Sequence, residues 1–232
     1  MKHLLIVLVF IATNCYGQPY LLTQGNYSAP SMSGTTIQMA DDARSAAIDS
    51  PFTVCFYGNQ YNQFYIGSNG WVSFSPNQPI AFTAQMIPIN NIFVPRNCIM
   101  APWQDMRPDI AGFPATPIDY VRYRFNGVFP TRTITVSWDN IPMYQCTGVR
   151  SSQQIVIHES GVIEIYIIKK ATCTIWANGT ATLGLHNANA TQAMIVAGRN
   201  ATVWGGWSFV PERWIFTPVE CCYDIQHGIN MN

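Results

Sequence analysis

Hydrophobic residues in this chain alternate with polar ones in short runs, and none recurs at the 3.6-residue period of an amphipathic helix. The clearest run is Thr131 to Trp138, where Ile134, Val136 and Trp138 fall on one face and Thr133, Thr135 and Ser137 on the other. That alternation predicts a strand with one buried face and one wet face. Its partner, Tyr120 to Phe125, lies across Asn126-Gly127, a turn dipeptide that supplies positive φ angles. Gln154 to His158 and Val162 to Ile168 flank Glu159-Ser160-Gly161 as a second hairpin, with Ile163, Ile165 and Ile167 pointing together. Upstream, Phe52 to Tyr57, Phe64 to Ile66 and Trp71 to Phe74 are separated by Gly58-Asn59 and Ser68-Asn69-Gly70, and read as a meander.

Further strands are expected at Ile99 to Trp103, Ala181 to Leu185, Ala193 to Val196, Trp207 to Phe209 and Trp214 to Phe216. Residues 75–97 carry Pro76, Pro79, Pro88 and Pro95, which no central strand accommodates, so a long loop crossing one end of the domain is expected there. The sum is an all-β fold, an antiparallel, jelly-roll-like β-sandwich of about ten strands.

The N-terminus reads differently. Lys2 precedes an apolar run from Leu4 to Ala12, followed by small and polar residues up to Gly17. This is the pattern of a secretory signal peptide over residues 1–17, too short for the roughly 20 residues of a membrane span. Cleavage after Gly17 leaves Gln18 as the new N-terminus. Asn14 before Cys15 is a poor match to a lipidation site. Residues 18–50 form an extended lead-in, residues 51–220 the sandwich, and residues 221–232 a tail.

Composition narrows the possibilities. Charged residues make up 10% of the chain, with 12 Lys and Arg against 12 Asp and Glu. Loss of Lys2 leaves 11 against 12, a net charge of −1, so no basic surface is available for nucleic acid. Without Cys15, six of the 7 cysteines remain, an even number that in an exported protein implies disulfides. Cys146 and Cys173 bracket a predicted hairpin and are expected to pair. Cys55 with Cys98 is the expected second bridge, leaving adjacent Cys221 and Cys222 for a vicinal bond, thiols or an intermolecular link.

Several ordered motifs carry a family resemblance. They are Cys55-Phe56-Tyr57-Gly58, Ile66-Gly67-Ser68-Asn69-Gly70, Ala101-Pro102-Trp103-Gln104-Asp105, the Gln154 to Glu164 hairpin and Trp214-Ile215-Phe216-Thr217-Pro218. Together with Trp176 to Gly184, His186-Asn187-Ala188 and Gly198 to Trp204, they resemble a β-sandwich module of secreted Bacteroidota gliding-motility and adhesin-type surface proteins. The set is also loosely similar to nidogen-type extracellular domains. The resemblance covers residues 52–218 and implies a surface-exposed, non-catalytic module of a type IX secretion or gliding assembly. The chain departs from that pattern in stopping at Asn232 without the usual C-terminal sorting domain.

Candidate chemistry is sparse. Asp105 and Asp109, with Asp119 beyond them, could offer oxygens to Ca²⁺, yet their spacing matches no EF-hand or repeat loop, and Asp beside Pro or Gly more often caps a turn. Glu159 and Glu164 are the acidic pair of one hairpin but are expected to point to different faces, solvated. His158-Glu159 lacks the second histidine of a zinc-protease motif, and His158, His186 and His227 are far apart in sequence. No catalytic residue and no cofactor is expected. Trp138 belongs to the core, whereas Trp204 and Trp207 beside Gly205-Gly206 are the aromatic candidates for binding. Asn26, Asn178, Asn189 and Asn200 each begin a glycosylation sequon.

The expected function is that of a non-enzymatic exported surface or envelope module, acting in adhesion or as a structural subunit with a protein partner. The alternatives are a glycan-binding protein using Trp204, Trp207 and the 75–97 loop, and a hydrolase built on Asp105, Glu159 or His158.

Overall fold

The computed structural model describes residues 19–79, 82–110 and 120–219. The signal-peptide region with Cys15, and Asp119, Cys221, Cys222 and His227, lie outside the described residues.

Two antiparallel sheets form the sandwich. The first runs in the order β1 (Tyr20–Gly25), β14 (Glu212–Pro218), β10 (Ile163–Lys169), β9 (Cys146–His158), β8 (Thr133–Met143), β7 (Tyr120–Asn126) and β2 (Thr35–Ile37). The second runs β12 (Ala193–Ile195), β11 (Thr180–His186), β6 (Cys98–Trp103), β5 (Trp71–Ser73), β4 (Asn59–Gly67) and β3 (Ile48–Phe56), with β13 (Thr202–Val203) paired to β11. The all-β antiparallel sandwich expected from the alternation is therefore present, with 14 strands among the described residues. Trp207 to Phe209 is a turn rather than a strand.

The extra strands come largely from the lead-in. Tyr20 to Gly25 pairs residue by residue with Pro218 to Arg213, so the lead-in closes the first sheet instead of merely wrapping it. Tyr20, 1% exposed, is the anchor. Its ring meets Tyr57 edge-on with centroids 5.4 Å apart.

Between the sheets lies one continuous apolar core. Ile134, Val136 and Trp138 of β8, with Ile163, Ile165 and Ile167 of β10, pack in one cluster with Phe52, Phe64, Ile66, Ile99 and Leu183. Trp138 also donates its indole N–H to the carbonyl of Gly67 at 2.9 Å, a hydrogen bond that crosses from sheet to sheet.

The outer faces are less wet than the alternation predicts. Thr135 and Ser137 are 2% and 1% exposed, because lead-in residues lie over them. Gln154 donates to both the Ser137 hydroxyl and the Ser31 carbonyl, and Arg122 reaches the Met32 carbonyl. On the second sheet every residue of β6 is buried. The proline-rich loop does not cross an end of the domain; it covers the outer face of β5 and β6, where Ala84, Ile87 and Val94 pack on Trp71, Met100 and Trp103. The physical reason is the strand's own sequence, apolar at nearly every position, which needs a cover on both sides.

Cys146 and Cys173 form the expected disulfide, with Cα atoms 5.7 Å apart. The Cys55–Cys98 bridge is not made. Cys55 stands opposite Gln60 at the start of β4, whereas Cys98 stands opposite Ser73, which stands opposite Tyr65 further along β4. Three strand steps of about 4.8 Å separate β3 from β6, beyond the roughly 7 Å that a disulfide spans between Cα atoms.

Candidate functional sites

The Ser68-Asn69-Gly70 turn organises one end of the molecule. Gly70 has φ +83°, and a Cβ there would lie 2.3 Å from the Pro102 carbonyl, so only glycine fits. Asn69, 1% exposed, uses its amide in two directions. Its side-chain oxygen accepts from the backbone N–H of Met106 at 2.8 Å, and its NH₂ donates to Asp42 Oδ1 at 2.7 Å. Asp105, just beyond β6, and the Asp41-Asp42 turn of the lead-in are thereby drawn together. One carboxylate oxygen from each of Asp41, Asp42 and Asp105 lies within 4.8 Å of the others.

Donors hold this cluster on its outer side. Trp176 gives its indole N–H to Asp105 Oδ2 at 2.6 Å, and Arg107 Nε lies 3.5 Å from Asp41 Oδ2. The Oδ1 atoms of Asp105 and Asp41 are buried with no hydrogen-bond partner. Burial pushes the Asp105 carboxyl up to about 7, with Trp176 pulling it down and Asp42 and Asp41 pushing it further up.

Asp109 does not join the cluster; it forms an ion pair with Arg107 at 2.7 Å. Of the acids that the sequence offered for calcium, the cluster contains Asp105, joined by Asp41 and Asp42 in place of Asp109, while Asp119 lies outside the described residues. The available signal was an Asp-Asp pair in a chain almost without charge.

A second site lies near the disulfide. An open groove of about 480 Å³ runs between the start of β9, the end of β10 and the turn at residues 203–209, lined by Gly148, Arg150, Lys169, Lys170, Thr174 and Trp207 among others. Trp207 is fully exposed. Trp204 instead packs inward: its indole N–H donates to the Ala181 carbonyl at 3.3 Å, and the Arg199 guanidinium sits 3.9 Å from its ring centroid. The two aromatic candidates thus separate, one supporting the site and one facing solvent. None of the described residues of the 75–97 loop lines the groove.

Lys170 forms its floor at 1% exposure. Its ammonium donates to the Ala171 carbonyl at 2.6 Å and lies 5.0 Å from the Trp204 ring centroid. Burial lowers this amine to about 7, and neighbouring Arg199 lowers it further. Gly205 makes the close approach possible, since a Cβ there would fall 2.4 Å from Lys170 Cγ.

The remaining candidates are dispersed. Tyr144 N–H bonds to the Asp105 carbonyl beside the start of β9, while His158 and Glu159 stand at its far end. Thirteen residues at about 3.4 Å each put these ends roughly 40 Å apart. Glu159 pairs with Arg132. Glu164 is not solvated as the hairpin suggested; it is 8% exposed and bonded to Arg213 at 2.7 Å and to the Tyr166 hydroxyl. Burial pushes Glu164 up, but His158 at 3.4 Å and the bonds from Arg213 and Tyr166 outweigh it and hold the carboxyl at about 2. His186 is buried and bonded through Nδ1 to the Pro95 carbonyl. Among the sequons, the Asn200 amide is occupied by the N–H and carbonyl of Ile87, whereas Asn178 is exposed.

The NIDO-related (nidogen-related) family profile matches residues 20–206. The chain belongs to this family. The matched span begins at β1 and takes in both the acidic cluster and Trp204, so the lead-in strand is part of the family's domain. No curated protein and no solved structure matches the chain. The family and the disulfide fit an extracellular protein, and among the described residues no helix is long and apolar enough to cross a membrane.

Proposed function

We propose that this NIDO-related chain is a non-catalytic adhesion module that grips an acidic segment of a partner protein in the Trp207 groove. The observation that carries the reading is the composition of that groove: a fully exposed tryptophan beside Arg150 and Lys169, with no acidic residue among the described residues of the lining. An indole left in water forfeits a couple of kcal/mol of burial, which a partner restores by covering it. Opposite charge steers that partner to the groove. The disulfide ties the start of β9 to the segment that follows β10, so that wall needs little ordering on binding. The separation of His158 and Glu159 from Asp105 supports a holding role over a hydrolytic one. The ordered surface-protein motifs favour a cell-surface or envelope assembly as the setting.

A sugar-binding reading is favoured by the same exposed indole, whose face suits a pyranose ring. To test these readings, wild-type protein and Trp207→Ala are immobilised and exposed to a poly-glutamate peptide and to a panel of uronic-acid and sulfated glycans. Peptide binding that weakens with salt and falls about tenfold in Trp207→Ala supports the protein-partner reading. The same behaviour confined to glycans transfers the site to the sugar reading. Equal binding by both proteins, or none, refutes the groove as the contact surface.

A further inference from the structure

We propose that Asp41, Asp42 and Asp105 form a calcium site that pins the lead-in to the end of β6. Each carboxylate has one oxygen already engaged by the protein, through Arg107, Asn69 and Trp176 respectively. The second oxygens of Asp41 and Asp105 are buried and unpartnered, and Asp105 is 5% exposed. A buried carboxylate oxygen without a donor is costly to maintain and is normally satisfied. Here the two carboxylates that carry such oxygens, and a third from Asp42, each place an oxygen within 4.8 Å of the others.

Local compensation is slight. Arg107 stands at the rim, 3.5 Å from Asp41, and is itself committed to Asp109 at 2.7 Å. A divalent cation would neutralise the remaining charge and satisfy both oxygens at once.

The donor set selects the ion. All three donors are hard carboxylate oxygens, with no imidazole or thiolate among them, which favours calcium over zinc or copper. Calcium–oxygen bonds of about 2.3 to 2.6 Å allow two ligands of one ion to lie up to about 5 Å apart, a limit that the 4.8 Å cluster meets. Water would complete a shell of about six to eight ligands at this half-open rim. Extracellular calcium sites with dissociation constants of about 0.1 to 1 mM are of this sparsely liganded kind.

The test uses the mature protein stripped of metal by dialysis against a chelator. Calorimetric titration with CaCl₂ is expected to show one ion per chain. About 10 mM CaCl₂ is expected to raise Tm by roughly 4 °C, the shift that a millimolar site produces in a domain of this size. Asp105→Asn and Asp42→Asn should each abolish the shift, and Trp176 fluorescence should change on titration in the wild type alone. If Asp105→Asn fails to fold, Asp41→Asn carries the same comparison. Absence of binding heat and of any Tm shift, a shift retained in the variants, or an equal response to MgCl₂ would overturn the calcium assignment.

Discussion

At the Asp41–Asp42–Asp105 turn the side chains are tightly held and Asp105 is almost wholly enclosed, whereas at the groove Trp207 projects into solvent above a floor where Lys170 and Ala171 are buried. Both sites sit on the same sandwich. One carries concentrated negative charge in a space the size of an ion. The other sets Arg150 and Lys169 around an exposed aromatic surface. A buried, prefixed cluster recognises a point charge, because its geometry cannot adapt. An exposed indole above a fixed floor recognises area, because its contribution appears only when something covers it.

The most damaging way to break this contrast is to remove the support that the two sites share. Trp138→Ala deletes a core indole and its bond to the Gly67 carbonyl, immediately before the turn that holds Asn69. It is expected to cost about 3–5 kcal/mol in chemical denaturation and to disable both sites together. Loss of the groove with the acidic turn intact would show that the two ends fold independently.

Next in size is the disulfide. Cys146→Ser with Cys173→Ser opens a link spanning 27 residues and is expected to lower stability by about 3 kcal/mol. Because Thr172, Thr174 and Gly148 all flank the bridge, binding at the groove should weaken while any calcium-induced Tm shift persists. Equal damage to both responses would erase the distinction between the sites.

A smaller, pH-dependent effect is expected from Lys170. Its folded pKa of about 7 lies below the ordinary value of 10.5, so the unfolded chain binds a proton that the native state lacks between those values. Native stability therefore rises with pH across that window, and the cost of charging the buried amine is greatest near and below pH 7. Lys170→Met should raise stability by on the order of 1 kcal/mol at pH 6, with the gain disappearing near pH 10. Thermal melts across pH 5–10 check this; a pH-independent difference would mean that Lys170 stays protonated in the folded state.

How far the sequence reached differs between fold and sites. The β8 alternation, the Ile163–Ile165–Ile167 face and the Gly turns made the sandwich legible, since period-2 patterning and positive-φ residues are local properties of the chain. The Cys146–Cys173 pair was legible for the same reason, because it brackets one hairpin. Asp105 was visible as an acid in an apolar run, but its partners were not: Asp41 and Asp42 are more than sixty positions away in sequence. Trp207 was recognised as a surface candidate from the glycines beside it, whereas Lys170 gave no sign of its burial.

Patterning, turn residues and cysteine placement were thus enough to determine a disulfide-stapled antiparallel sandwich. Which loops cover which faces was decided only by tertiary packing. Thr135 and Ser137 became buried, the proline-rich segment covered β6, and Cys55 was carried away from Cys98. The reason is that alternation fixes which side of a strand a residue takes. What lies opposite that side depends on contacts between segments distant in sequence, and those exist only once both sheets have closed on the core.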